Sequence, residues 1–124
     1  MYLLILLMLG AGQSLDAFDA ANLAVTQCGY SVFRASNAAN HSNAEFERRL
    51  TSECRGQIDD LRREIAAIEI ERGESRTAAE NRAERLTTRF RADFSEQYSR
   101  RARDAEKLRA LERALEQEGK ANAP

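Results

Sequence analysis

The residues with the clearest chemistry in this 124-residue chain are its two cysteines, Cys28 and Cys54. In an exported protein, an even number of cysteines is typical of disulfide bonding. The apolar residues around the two cysteines mirror each other about residue 41, as facing positions on two antiparallel helices do. The mirrored pairs are Leu15/Ile68, Ala21/Leu61, Val25/Ile58, Val32/Leu50 and Ala35/Phe46. We therefore predict a Cys28–Cys54 disulfide; the alternative is a pair of buried free thiols.

Residue patterns that support catalysis or metal binding are missing from the sequence. The single histidine, His41, lies in a turn-rich stretch, so the chain lacks the paired nucleophile and base that covalent catalysis needs. Once the cysteines are paired, only scattered carboxylates such as Asp59 and Asp60 remain as metal ligands. The glycines are isolated and cannot build a phosphate-binding loop. We predict that the protein is not an enzyme and uses neither a metal nor a cofactor.

A stripe of basic residues is the strongest candidate for a binding face. On a helix these residues fall within a band of about 60°, and we call them the basic stripe: Arg82, Arg85, Arg89, Arg100, Arg103 and Lys107. Such a stripe could bind an anionic polymer or the head groups of acidic phospholipid or lipopolysaccharide. The alternative is a solvated face, or one paired with acidic residues of the same chain. The net charge of −1 argues against a nucleic-acid partner.

Two seams of apolar residues, spaced three and four apart, predict the helices that carry these residues. The first seam runs from Leu15 to Ala35 and the second from Phe46 to Ile68. Between them, Ser42 and Glu45 form a capping-box pattern. Gly73 then marks a turn, Thr77 and Glu80 repeat the capping pattern, and Gly119 is expected to end the last helix.

The seams predict an all-α fold, an antiparallel helical hairpin extended to an up-down-up three-helix bundle over residues 15–102. A second mirror, about residue 74, supports the third helix through the pairs Ala83/Ile65, Leu86/Leu61, Phe90/Ile58, Phe94/Cys54 and Tyr98/Leu50. The flanking charges predict ion pairs between the acidic set Asp60, Glu64, Glu71 and the basic set Arg89, Arg85, Arg76. The alternative fold has one continuous helix from 42 to 118, since a single internal glycine costs only about 1 kcal/mol.

The third helix overshoots the bundle as a charged extension and tail over residues 103–124. It carries Leu108, Leu111 and Leu115 on one face, and helical charge pairs such as Arg109 with Glu112 would stabilise it in water. We predict that these leucines form a contact between copies of the chain; the alternative is a partly frayed charged tail.

The first residues resemble a secretory leader. Met1–Gly12 is apolar and too short to span a bilayer, and small residues suit cleavage near Gly12 to Ser14, although no Lys or Arg precedes the apolar run. Residues 1–14 are therefore predicted to be a signal peptide. A buried helix segment and a short uncleaved anchor are the alternatives.

The leader, the cysteine pair, the dipeptide Arg72-Gly73 and the aromatic pair Phe94 and Tyr98 resemble small exported α-helical proteins of Gram-negative bacteria, over roughly residues 15–100. The resemblance implies a periplasmic or secreted location and no particular activity.

The sequence favours a protein-binding or structural module of the cell envelope, with an unidentified protein partner and at most peripheral membrane contact. Two alternatives are a holdase-like periplasmic chaperone and a binder of anionic envelope surfaces through the basic stripe.

Overall fold

The computed structural model describes residues 2–121 of the chain, with side chains from residue 15 onward. The described residues form four helices: α1 (Tyr2–Ala38), α2 (Asn43–Glu53), α3 (Arg55–Glu71) and α4 (Arg76–Ala121). Helix α1 runs up, α2 and α3 run down beside it, and α4 runs up again. The predicted all-α, up-down-up bundle is confirmed. Among the described residues, no helix combines the length and apolar character needed to cross a membrane.

The predicted signal peptide, residues 1–14, lies outside the described side chains. The helical backbone of α1 begins at Tyr2, and cleavage of this segment stays a prediction.

The disulfide joins the middle of α1 to the junction of α2 and α3. The Cys28 and Cys54 sulfurs lie 2.13 Å apart and the two Cα atoms 5.8 Å apart. Cys54 is a one-residue interruption between α2 and α3, at φ −101° and ψ 13°. The Cys54 amide still donates to the Leu50 carbonyl, and the Cys54 carbonyl accepts from the Ile58 amide. The two helices therefore continue along one path, with the disulfide attached where they meet.

The turn between α3 and α4 excludes the alternative of one continuous helix from 42 to 118. Gly73 has φ +96°, a left-handed conformation that glycine adopts without steric cost. Ser75, rather than the predicted Thr77, caps α4: its Oγ accepts a hydrogen bond from the Ala78 amide at 3.2 Å. At its other end, α4 continues past the predicted stop at Gly119 to Ala121.

The cap of α2 is confirmed in part. Ser42 Oγ accepts from the Glu45 amide at 3.1 Å. The Glu45 carboxylate does not return to the cap residue as predicted, because it accepts hydrogen bonds from Arg48 and Arg49. These bonds, that from Arg48 first, lower the pKa of Glu45 to about 2. The carboxylate therefore keeps its charge in the folded protein until the pH falls toward 2, and its contribution to stability, complete above the ordinary pKa of 4.5, is lost as the pH falls from there toward 2.

The core follows the predicted seams except at three positions, the first of which is Leu15, 55% exposed at the start of the α1 seam. Its buried members include Val25, Val32, Phe46, Leu50, Cys54, Ile58, Leu61, Ile65, Ala83, Phe94 and Tyr98. On α1, Ala35 is exposed and Ser36 is fully buried in its place. On α4, Leu86 is 41% exposed and Thr87 is fully buried. Thr87 fits inside because its hydroxyl donates to the Ala83 carbonyl at 3.0 Å.

An aromatic cluster closes the upper end of the bundle. The rings of Phe46 and Tyr98 stack with centroids 4.3 Å apart, and Phe33 meets both rings edge-on. The Tyr98 hydroxyl donates to the His41 carbonyl at 2.6 Å, with the Ser36 carbonyl oxygen at 3.1 Å. One side chain of α4 thus ties down the turn between α1 and α2.

Removing this hydroxyl is expected to loosen the turn without disturbing the stack. We expect Tyr98→Phe to lower the free energy of unfolding by about 1–2 kcal/mol, because the His41 carbonyl loses its donor in a partly buried site. Chemical denaturation measures the change. Amide exchange should quicken at residues 36–43 and stay unchanged at the Gly73 turn, and unchanged stability would contradict the role given to the hydroxyl.

Two ion pairs that join α3 to α4 are not among the predicted pairs. Arg62 of α3 pairs with Glu84 of α4 at 3.0 Å, and Glu69 of α3 pairs with Arg82 at 3.2 Å. Asp60 pairs with Arg63 on its own helix rather than with Arg89. The charged flanks therefore meet across the helices as predicted, with Arg62, Glu84, Glu69 and Arg82 as the partners, while the predicted Asp60–Arg89 pair is wrong.

Candidate interaction surface on α1 and α4

Exposed apolar side chains concentrate on one side of the bundle, where α1 and α4 lie next to each other. Tyr30 of α1 is 47% exposed and meets the Phe94 ring of α4 at 5.3 Å, which places it at the boundary of the two helices. Leu23 lies two turns before Tyr30 on the same side of α1. The large apolar side chains that α1 and α4 expose form what we call the α1–α4 face: Leu15, Leu23, Tyr30, Leu86, Leu108, Leu111 and Leu115. Ile70, on α3, is exposed outside it.

At the lower end of this face the helices leave an open groove of about 320 Å³. Its walls are α1 and α4 and its floor is the apolar side of α3. We call this the basal groove, and its lining is Leu15, Phe18 and Asn22 from α1, Leu61, Ile65, Ile68, Glu69 and Arg72 from α3, and Arg82, Leu86 and Phe90 from α4.

Helix α1 approaches α4 closely at mid-height, above the groove. At mid-height, Gly29 of α1 has no side chain, and a Cβ atom there would lie 2.7 Å from the Phe94 ring. Lower down, the bulkier Phe18 and Phe90 stand on the two walls of the groove and are only partly buried. Three helices thus surround a space that a fourth could fill.

Charged residues border the apolar part of the groove. Glu69 is largely buried, with 13% of its side chain exposed, and it pairs with Arg82 at 3.2 Å and with Arg72 at 3.8 Å. Two guanidinium groups sharing one carboxylate leave this rim with a net positive charge. An occupant with an acidic end would complement it.

The basic stripe lies beside the α1–α4 face rather than apart from it. All six of its residues are exposed. Arg82 pairs with Glu69, and Arg100 pairs with Glu96 at 2.6 Å. Around the α4 axis, the stripe lies about 60–80° from the line of exposed leucines. It flanks Leu86 at the groove and Leu108 on the extension.

The C-terminal part of α4 projects beyond the bundle. Helix α1 ends at Ala38, opposite Tyr98, whereas α4 continues to Ala121. At about 1.5 Å per residue, residues 102–121 add roughly 30 Å of helix. Leu108, Leu111 and Leu115 are each 58% exposed, on one side of this segment. The extension is helical rather than a frayed tail over its described residues.

The described residues hold no group of three or more His, Cys, Asp or Glu side chains arranged to bind a metal ion. His41 lies half-buried in the α1–α2 turn, and its backbone, rather than its ring, makes the described hydrogen bonds. The α1–α4 face is therefore the best-developed candidate site in this part of the chain.

Compared with models of known protein families, with curated proteins and with solved structures, the chain has no match. The resemblance to small exported proteins stays a prediction.

Sequence reasoning identified both the basic stripe and the extension leucines but missed the basal groove. Periodicity shows which residues point toward a neighbouring helix, and it carries no information on how far two helices diverge. The nearest signal was the pairing of Leu15 with Ile68, since both residues line the groove rather than closing the core.

Proposed function

We propose that the protein is an exported, protein-binding module of the cell envelope that docks a helical partner on its α1–α4 face. The observation that carries the proposal is the basal groove, where three helices surround an apolar space that is open to solvent. Grooves of this kind accept the apolar side of an amphipathic helix.

The distribution of exposed apolar residues supports a docking surface. A soluble protein usually scatters such residues singly, whereas a cluster bordered by charged side chains is typical of an interaction site. Here Leu86 at the groove and Leu111 on the extension belong to the same side of α4, and basic residues border both.

The proposed location is supported by the disulfide. Disulfides persist in oxidising compartments such as the periplasm and are rare in the cytosol. Alkylation of the protein in intact cells before lysis is the test: we expect Cys28 and Cys54 to resist alkylation, and two freely alkylated thiols would contradict export.

Photo-crosslinking from single positions tests the docking face. A photoreactive phenylalanine analogue replaces Leu86 or Leu111 in living cells, and Ser52, exposed on α2, is the matched control position. We expect protein crosslinks at 86 and 111 that are absent at 52. Equal crosslinking at all three positions, or none at 86 and 111, would contradict the proposal.

The holdase alternative rests on the same exposed leucines. The crosslinked products distinguish it from a docking module. A chaperone gives a heterogeneous set of client proteins, whereas a docking module gives one discrete species. The surface-binding alternative predicts crosslinks to lipid, lost when Arg82, Arg85 and Arg89 are replaced by Glu.

A further inference from the structure

We propose that the occupant of the basal groove is the C-terminal extension of α4 from a second copy of this chain, so that two copies complete each other. This inference rests on the proposed function and names its partner. It follows from three features of the described residues: the shape of the groove, the spacing of the extension leucines and the direction of the helices.

A helix that fills the groove would complete a four-helix bundle, and the directions of α1, α3 and α4 favour one direction for it. Around it, α1 runs up, α3 runs down and α4 runs up, so a descending helix placed between α1 and α4 would be antiparallel to both. The result is a four-helix bundle in which neighbouring helices alternate in direction. Helix α4 of a second copy, related by a two-fold axis perpendicular to α4, has this direction.

The extension has the apolar pattern that the groove accepts. Leu108, Leu111 and Leu115 repeat at three and four residues, as the ridge of an amphipathic helix does. When Leu111 of one copy stands opposite Leu86 of the other, Leu108 comes opposite Phe90. The apolar ridge then lies against the apolar wall over about one turn, and Leu115 comes opposite Arg82.

Because the pair has two-fold symmetry, one register places each copy's extension in the other copy's groove. The register that places Leu111 of the second copy on Leu86 also places Leu86 of the second copy on Leu111. The two-fold axis then passes beside Tyr98 and Ser99, near the middle of α4. Two equal contacts help to reach the roughly 1,600 Å² that a stable interface buries.

The charges at the two ends agree with this register. Glu118 follows Leu115 by three residues and lies on the same side of α4 as Arg82. In the antiparallel pair it therefore comes within one turn of Arg82 of the other copy, at the positively charged rim. A parallel pair in register lacks this match, because it places Glu118 of one copy beside Glu118 of the other, far from either Arg82.

The centre of the pair carries an unfavourable contact that sharpens the test. Asp93 of one copy stands opposite Asp104 of the other in this register. Reversing the charge of Asp104 with Asp104→Arg should therefore strengthen the association in this register.

The experiment measures oligomeric state and register in the disulfide-bonded protein as it is recovered from the cell. We expect a dimer by sedimentation, weakened about tenfold or more by Leu111→Glu or Leu86→Glu and tightened by Asp104→Arg. Ile70→Glu, at an exposed leucine-sized side chain outside the face, is the matched control and should leave the dimer unchanged.

A thiol-specific bismaleimide fixes the register. We expect Leu86→Cys chains mixed with Leu111→Cys chains to crosslink to each other, while Leu111→Cys alone does not. Covalent dimers of Leu111→Cys alone would show extensions meeting each other, and a monomer at every concentration would show no self-association; either result overturns the inference. A monomer that still gives one discrete protein photo-crosslink at 86 and 111 overturns this inference and leaves the proposed function standing.

Discussion

Breaking the Cys28–Cys54 bond is expected to lower the free energy of unfolding by about 3–4 kcal/mol. The bond closes a loop between residues 26 positions apart, and a crosslink of that length removes conformational freedom mainly from the unfolded chain. For a chain of this size the loss corresponds to a fall in melting temperature of roughly 10–20 °C.

The position of the disulfide adds to the stabilisation expected from the length of the loop that it closes. Cys54 is fully buried at the junction of α2 and α3, so the bond holds α1 against both helices at the point where the descending path is interrupted. Without the bond, α1 is held against α2 and α3 by side-chain packing and by its hydrogen-bonded turn into α2.

Thermal unfolding of three samples measures the effect: oxidised protein, oxidised protein with reductant, and Cys28→Ser. We expect the reduced protein and the variant to unfold at the same temperature, well below the oxidised protein. Cys28 is the residue to replace because it is only partly buried, whereas serine at Cys54 would bury a new hydroxyl. Equal stability of Cys28→Ser and the oxidised protein would show that the bond contributes nothing.

The hairpin was predictable because two independent patterns agree on it. Apolar residues at three- and four-residue spacing identify the helices, and the cysteines fix their relative height, since Cys28 can bond Cys54 in only one register. Gly73 left two folds open, because a glycine costs a helix too little to decide between a turn and a continuous rod.

The rotation of α4 about its axis was not predictable from hydrophobicity alone. Leu86 is the more apolar choice for the core, yet Thr87 is buried and Leu86 is exposed. Thr87 lies seven residues before Phe94 and therefore on the same side of the helix, whereas Leu86 points about 80° away. The large rings of Phe94 and Tyr98 set the orientation, and Leu86 is left facing the groove.

The candidate site likewise has a part that the sequence predicted and a part that it did not. The basic stripe and the extension leucines lie within one helix, so helical geometry alone assembles them. The basal groove depends on the separation of α1 and α4, to which a close contact at mid-height contributes. That contact involves Gly29, a residue with no side chain and hence no apolar signal.

Gly29→Ala is expected to lower the free energy of unfolding by about 1–3 kcal/mol, although alanine favours a helix over glycine by nearly 1 kcal/mol. The new Cβ atom would lie 2.7 Å from Cζ and 2.9 Å from Cε1 of Phe94. The ring cannot move aside easily, because Tyr30 meets it at 5.3 Å and Phe90 at 4.9 Å. The new Cβ atom therefore requires the Phe94 ring, its aromatic neighbours or the two helices to shift.

Gly56→Ala is the matched control, since Gly56 lies in α3 with no atom within 4 Å of an added Cβ. It should raise the free energy of unfolding by up to about 1 kcal/mol through helix propensity alone. Chemical denaturation of the two variants gives opposite signs if the close approach is real. If both variants stabilise the protein equally, α1 and α4 do not meet at Gly29.

A second substitution tests whether contact with the Phe94 ring causes the loss of stability in Gly29→Ala. Phe94→Leu alone should destabilise the protein by removing core packing. In the Gly29→Ala background the shorter side chain relieves the contact, so the double variant should be more stable than the sum of the two single effects predicts. The variants Gly29→Ala and Gly56→Ala also test how the groove is formed. If separating α1 from α4 at Gly29 widens the basal groove, Gly29→Ala should weaken any association that the α1–α4 face makes. Gly56→Ala should leave that association unchanged.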